Sequence, residues 1–74
     1  MSVLPRVSGR TIVRALARTG YSVDRQKGSH IILRQNEHPH RRITVPDHSE
    51  IAKGTLRAII RDAGLTVDEF KSLL

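Results

Sequence analysis

The sequence contains no cysteine and no tryptophan, and it has a single tyrosine, Tyr21, and a single phenylalanine, Phe70. Without cysteine the chain cannot form a disulfide framework, a thiolate metal site or a cysteine nucleophile. This absence is also consistent with a reducing compartment. Because two aromatic rings contribute little bulk, we expect a core of Ile, Val, Leu and Ala side chains.

Long apolar segments are absent as well. No run approaches the roughly 18 apolar residues of a membrane span, and residues 1–10 lack the apolar stretch of a signal peptide. We therefore expect a soluble, cytoplasmic protein. The 74 residues have room for one domain, 1–74, and a domain of this size buries only about 60% of its unfolded surface. Any chemistry is expected on a face or in a shallow groove.

Negative charge is scarce, with 7 Asp and Glu against 13 Lys and Arg, for a formal net charge of +6. A field of this sign attracts polyanions and speeds their encounter. Most of the basic residues are arginines, which suit bidentate phosphate contacts, although genome base composition also explains such a ratio. Nucleic acid is therefore the expected large partner.

The first predicted helix covers Gly9–Thr19, with Ser8 as its N-cap and Gly20 at its C-terminal end. Helical periodicity predicts that its apolar side consists of Ile12, Val13, Leu16 and Ala17. Arg10, Arg14 and Arg18 form a stripe on another side. That stripe is either a phosphate-facing ridge or a solvated helix face.

Three strands are predicted next, at Tyr21–Arg25, His30–Gln35 and Arg41–Val45. A turn at 26–29 and a polar loop at 36–40 separate them. Alternation places Tyr21, Val23 and Arg25 together on one face of the first strand. In the second strand, alternation places one set of side chains on one face, His30, Ile32 and Arg34, and another set on the opposite face, Ile31, Leu33 and Gln35. In the third strand, Arg42 and Thr44 lie on one face and Ile43 and Val45 on the other.

A second helix is predicted from Ile51 or Ala52 to Ala63, followed by Gly64. Its expected apolar face consists of Ile51, Thr55, Leu56, Ile59, Ile60 and Ala63. Asp47 and Glu50 are expected to cap this helix. The spacing of Thr66 and Glu69 predicts a capping box and a short terminal helix over Thr66–Leu74, with Phe70, Leu73 and Leu74 packed on the core.

The predicted element order is α-β-β-β-α with a short terminal helix. The short connections favour a three-stranded antiparallel meander, and the fold class is an α+β domain of two layers with both helices on one face of the sheet. The other face of the sheet is left open. Alternation predicts that this open face displays Arg and His side chains, an arrangement that suits RNA binding.

His30 is the strongest candidate for a catalytic residue. It follows Lys27-Gly28-Ser29 at the start of a predicted strand. An imidazole in this position can act as a general acid or base near neutral pH, for example by taking the proton of an RNA 2′-hydroxyl that then attacks the adjacent phosphorus. Lys27 would stabilise the charge that develops on the phosphoryl oxygens. The alternative is a structural histidine at the start of a strand.

The other histidines give weaker signals. His38 and His40 flank Pro39 in a polar loop, and with His48 they would supply only an incomplete metal site, so we expect no metal. His48 lies near the start of the second helix. It is a candidate for a second proton donor or a phosphate contact, or it hydrogen-bonds a loop carbonyl.

Short motifs along nearly the entire chain carry a resemblance to a known family. In order they are Ser8-Gly9, Val13 with Leu16, Gly20-Tyr21, Arg25-Gln26-Lys27-Gly28-Ser29-His30, Val45-Pro46-Asp47-His48, Gly54-Thr55-Leu56 with Ile59-Ile60, and Ala63-Gly64. The most diagnostic are Gly28-Ser29-His30 and the block from Val45 to Leu56. The chain resembles the HicA (YcfA-like) mRNA interferase toxins.

This resemblance implies a fold like that of double-stranded-RNA-binding domains and a ribonuclease activity that arrests growth by cutting mRNA. It places the catalytic histidine of the family at His30. It also implies neutralisation by a HicB-type antitoxin, which would cover this histidine and the basic surface. No cofactor is implied.

We expect Arg25, Lys27, Ser29 and Arg34 to contact RNA, with His48 as an accessory residue. A non-catalytic RNA-binding module that uses the same basic surface is the alternative function. The sequence also leaves open whether the chain is a monomer or a homodimer.

Overall fold

The computed structural model describes residues 3–74, which contain three helices and one sheet. The elements are α1 (Gly9–Ala17), β1 (Tyr21–Lys27), β2 (His30–Gln35), β3 (Arg42–Pro46), α2 (Lys53–Asp62) and α3 (Val67–Ser72). The sheet is antiparallel with the strand order β1-β2-β3. The predicted α+β class and the α-β-β-β-α order are confirmed. Within residues 3–74 no helix combines the length and the apolar character needed to cross a membrane.

Helix α1 begins at the predicted cap, where the backbone N–H of Thr11 donates to Oγ of Ser8 at 3.1 Å. Its buried residues are Gly9, Ile12, Ala15 and Leu16. The predicted apolar side was wrong in one position, because Ala17 is exposed and Ala15 is buried instead. The residues at 12, 15 and 16 follow the i, i+3, i+4 spacing of a narrow apolar stripe, which turns residue 17 away from the sheet.

Strands β2 and β3 have the predicted faces. The bounds of β2 match the prediction, while β3 is shifted by one residue and includes Pro46. The side chains buried against the helices are Ile31, Leu33, Ile43 and Val45. The opposite face carries His30, Ile32, Arg34, Arg42 and Thr44, so the open face displays histidine and arginine as expected.

Strand β1 differs from the prediction because it contains a β-bulge. Val23 lies opposite Leu33, but Arg25 lies opposite Ile32, the very next residue of β2. Asp24 is therefore the extra residue, and the alternation of faces changes at this point. The prediction that Arg25 shares a face with Val23 was wrong: Arg25 lies on the open face with Ile32.

Strand β1 is also longer than predicted, since it continues to Lys27 and leaves only Gly28 and Ser29 for the turn. Beyond the bulge, Gln26 lies opposite Ile31, on the face that the helices cover. The segment from 24 to 27 is entirely polar, so hydrophobic alternation gives no signal for either the bulge or the end of the strand.

Helix α2 begins after Ala52, which makes no capping hydrogen bond through its side chain. The predicted capping by Asp47 and Glu50 was wrong, and the Asp47 carboxylate instead accepts hydrogen bonds from α1 and β1. The predicted apolar face was wrong at Thr55, which is exposed, whereas Leu56 is fully buried.

The short helix α3 has the predicted capping box. Glu69 N–H donates to the Thr66 side chain, and Thr66 N–H donates to the Glu69 carboxylate at 2.8 Å. Phe70 is fully buried, as expected. Leu73 packs at the margin of the core, but Leu74 was wrongly predicted to pack there, since it is 50% exposed.

The core lies between the sheet and the helices and is aliphatic apart from Tyr21 and Phe70. Among residues 3–74, no charged residue is buried, and the Tyr21 hydroxyl is a buried polar group without a hydrogen-bond partner. An unpaired charge would be costly in so small an apolar core. The chemistry of the described residues therefore lies at the surface.

Candidate nucleic-acid interface and catalytic site

His30 is the first residue of β2 and its side chain is exposed. It follows the two-residue turn of Gly28 and Ser29, in which Gly28 has a φ of 57°. A positive φ at the first position of a two-residue hairpin loop is the requirement of a type II′ turn, which glycine meets at little cost. The turn places Lys27 directly opposite His30. Because opposite residues of antiparallel strands point to the same face, an ammonium group and an imidazole are neighbours there.

The open face of the sheet gathers further basic residues around this pair. The bulge in β1 brings Arg25 to this face, and alternation along β2 brings Arg34. Arg42 follows from β3, opposite Arg34. We call this surface the His30 face, and its residues are Asp24, Arg25, Lys27, His30, Ile32, Arg34, Arg42 and Thr44.

One ion pair lies on the His30 face. Nη1 of Arg42 donates to Oδ2 of Asp24 at 2.6 Å, which joins β3 to the bulge in β1. Among the described residues, Arg25, Lys27 and Arg34 form no ion pair. These three cations therefore remain available to phosphate, while Arg42 is already engaged. The sequence carries no signal for this ion pair, since eighteen positions separate Asp24 from Arg42.

The turn that precedes His30 is tied to the rest of the fold by Asp47. Its Oδ2 accepts a hydrogen bond from Arg10 Nη2 at 3.1 Å and another from Gln26 Nε2 at 3.1 Å. Gln26 Nε2 also donates to the carbonyl of Gly28 at 3.0 Å. The backbone N–H of Asp47 donates to the carbonyl of Ser29 at 2.7 Å. These four bonds hold the turn in place, and with it the start of β2.

The predicted residues Ser29 and His48 lie at the same end of the sheet as His30. Ser29 immediately precedes His30 and is exposed. His48 is exposed. It lies two positions after Pro46, the residue of β3 that pairs with His30. Its carbonyl accepts a hydrogen bond from Gly9 N–H at 2.9 Å, so its backbone is fixed by α1. The accessory candidate thus lies close in the fold to the start of β2.

The loop histidines lie elsewhere. The rings of His38 and His40 are 6.0 Å apart between centroids, in the loop that follows the far end of β2. His48 is at the other end of the sheet and does not join them. Within the described part of the chain, no group of three His, Asp or Glu side chains is arranged to hold a metal ion.

The arginine stripe of α1 belongs to the helix layer. Arg10, Arg14 and Arg18 are all exposed, on the side of the sheet away from the His30 face. Arg10 is paired with Asp47, and Nη2 of Arg14 donates to Thr11 Oγ1 at 3.3 Å. The stripe therefore lies outside the His30 face.

A family described as the HicA toxin of bacterial toxin–antitoxin systems matches residues 9–65, from the first residue of α1 to just beyond α2. That range contains His30, its turn and the whole sheet. No curated protein matches the chain significantly.

Proposed function

The chain belongs to the HicA toxin family of bacterial toxin–antitoxin systems, and from this premise we propose that it is an endoribonuclease that cleaves mRNA with His30 as its general acid–base catalyst. The observation that carries the proposal is the exposed His30 directly opposite Lys27, on a face where Arg25 and Arg34 are without carboxylate partners among residues 3–74. A binding surface for phosphates thus surrounds a group able to move a proton.

The reaction is a transesterification within RNA. His30 takes the proton of a 2′-hydroxyl, the 2′-oxygen forms a bond to the adjacent phosphorus, and the bond from phosphorus to the 5′-oxygen breaks. The products are a 2′,3′-cyclic phosphate and a 5′-hydroxyl end. The protonated His30 or His48 supplies the proton of the leaving 5′-oxygen. No step in this scheme calls for a cofactor.

A single acid–base group accounts for only part of such a rate enhancement, roughly 10²–10⁴-fold. The remainder is assigned to fixed positive charge and to orientation of the RNA. Lys27, which pairs with His30 across β1 and β2, is proposed to stabilise the phosphoryl oxygens. Arg25, Ser29 and Arg34 are proposed to bind the flanking backbone.

The family also implies an antitoxin as partner. We infer that it is of the HicB type and that it neutralises the toxin by covering the His30 face, which calls for an acidic surface on the antitoxin. The mRNA substrate places the activity in the cytoplasm. The α-β-β-β-α order supports a fold like that of double-stranded-RNA-binding domains.

Cleavage of an RNA transcript in EDTA, followed on gels, tests the catalytic role of His30. The variants are His30→Ala and the matched control His40→Ala, which removes an exposed histidine at the other end of β2. We expect wild type and His40→Ala to cleave, and His30→Ala to lose at least about 100-fold in rate with little change in RNA affinity. Cleavage by His30→Ala at the wild-type rate would contradict the proposal.

A second substrate tests the chemistry of the step. An oligonucleotide of the same sequence with 2′-O-methyl groups keeps the phosphates but lacks the attacking hydroxyl. We expect it to bind and to remain intact. Its cleavage would show that water, not the 2′-oxygen, attacks phosphorus.

The alternative is a non-catalytic RNA-binding module, favoured by the same three cations on the His30 face. It predicts salt-sensitive RNA binding with no cleavage at any protein concentration. Equal binding by wild type and His30→Ala, without cleavage by either, would establish this alternative.

A further inference from the structure

A groove lies between α1 and the edge strand β1, on the helix side of the sheet and away from the His30 face. We call it the α1–β1 groove. Its volume is about 280 Å³. It is lined by Arg10, Val13, Arg14, Val23, Gln26 and Ile31. Val23 is 54% exposed, which makes it one of the few large apolar side chains on the surface of residues 3–74.

The size and lining of the groove indicate the kind of occupant. Small-molecule pockets usually measure about 300–1,000 Å³, so this groove suits one or two side chains rather than a whole ligand. Its apolar part, formed by Val13 and Val23, matches an aliphatic side chain and not a phosphate backbone. Its rim carries the guanidinium groups of Arg10 and Arg14, which match carboxylates.

Charge distinguishes between a second copy of the chain and an acidic segment as occupants of the α1–β1 groove. A second copy of the chain would bring another net charge of +6 to a rim that is itself basic. Arg14 has only the Thr11 hydroxyl as a partner among residues 3–74, while Arg10 is partly neutralised by Asp47. Charge complementarity therefore favours an acidic segment, with Arg14 as its principal anchor.

The free edge of β1 limits how such a segment binds. The strand order leaves the outer edge of β1 without a neighbouring strand in the described residues. The bulge at Asp24 kinks this edge, and bulges of this kind oppose continuous pairing with an added strand. Affinity must therefore come mainly from side chains in the groove.

We propose that the α1–β1 groove docks an acidic segment of another protein, with an aliphatic side chain between Val13 and Val23 and flanking carboxylates on Arg14 and Arg10. This function goes beyond RNA cleavage. It uses none of the side chains assigned to the nuclease site and stands whether or not the chain cleaves RNA.

NMR titration of the wild-type protein tests the proposal. The probe is a capped heptapeptide of alternating Glu and Leu, and its control is the peptide of alternating Glu and Ser, which has the same charge. We expect the Glu–Leu peptide to shift the methyl resonances of Val13 and Val23 saturably, with an affinity at least about tenfold above that of the control. Equal affinities, or shifts centred on the His30 face, would overturn the proposal.

Variants locate the binding further. Val23→Glu places a carboxylate in the groove, and the matched control Val3→Glu adds the same charge at a residue that is 71% exposed and does not line the groove. We expect Val23→Glu to weaken Glu–Leu binding about tenfold or more and Val3→Glu to leave it within about twofold.

Arg14→Ala covers the case in which Val23→Glu fails to fold, and it should weaken the binding of both peptides. If neither groove variant changes Glu–Leu binding, the proposal is wrong. It is equally wrong if an RNA oligonucleotide, and not the peptide, shifts the methyl resonances of Val13 and Val23.

Discussion

At the scale of single residues, the face of the sheet on which Arg25 lies determines whether its side chain can contact RNA. On the His30 face it has no carboxylate partner among residues 3–74 and is a proposed phosphate contact. Each phosphate contact to single-stranded RNA contributes roughly 0.7 to the slope of log affinity against log salt. We expect Arg25→Ala to reduce that slope by about 0.7 and Arg57→Ala, on the exposed side of α2, to leave it unchanged. Fluorescence anisotropy over a salt series measures both, and equal slopes would remove Arg25 from the interface.

His30 and Arg34 could be placed on one surface from the sequence, because β2 alternates regularly. Lys27 could not, since the predicted turn covers 26–29 whereas β1 continues to Lys27. Arg25 could not be placed either. Its neighbours from 24 to 27 are all polar, so no apolar residue marks the change of face. The link between Asp47 and Gln26 was hidden for the same reason, since the bulge decides which way Gln26 points.

At the scale of elements, the most predictable features were the helix N-termini that have capping side chains. Ser8 and the Thr66–Glu69 box act locally, within three residues, and the structure contains both. The start of α2 has no such signal, because Ala52 precedes it without a side-chain cap. The residue before, Ile51, is buried and its N–H donates to the carbonyl of Val7. Tertiary contacts of this kind are not encoded in any short window of sequence.

The contact between α1 and the end of β3 leads to a stability prediction. A Cβ at Gly9 would overlap the carbonyl oxygen of Pro46, whereas a Cβ at Gly54 in α2 would meet nothing within 4 Å. We expect Gly9→Ala to lower the free energy of unfolding by about 1–3 kcal/mol and Gly54→Ala to raise it by about 0.5 kcal/mol. Urea denaturation measures both.

For a domain of this size, each kcal/mol corresponds to a shift of about 4–8 °C in Tm. Because Pro46 lies opposite His30, displacement at Gly9 is also expected to disturb cleavage. If Gly9→Ala unfolds no more readily than wild type, α1 does not pack against β3 as closely as the structure shows.

At the scale of the whole molecule, the two sides of one thin domain carry two different surfaces. The sheet is a single layer, with the His30 face on one side and the helices on the other. Asp47, which accepts hydrogen bonds from Arg10 and Gln26 of the α1–β1 groove, also holds the turn before His30. A segment that pulled Arg10 away from Asp47 would therefore act on the support of His30, the proposed catalytic residue.

The net charge of +6 also bears on the oligomeric state. Two copies repel each other at low ionic strength, and the exposed large apolar residues, Val3, Val23 and Leu74, are few among residues 3–74. We therefore expect sedimentation equilibrium at about 50 mM NaCl, where screening is weak, to give the mass of a monomer. Val23→Glu, with Val3→Glu as its control, should not alter that mass. A dimer at low salt that only Val23→Glu dissociates would assign the α1–β1 groove to a second copy, and it would contradict both this prediction and the docking of an acidic partner.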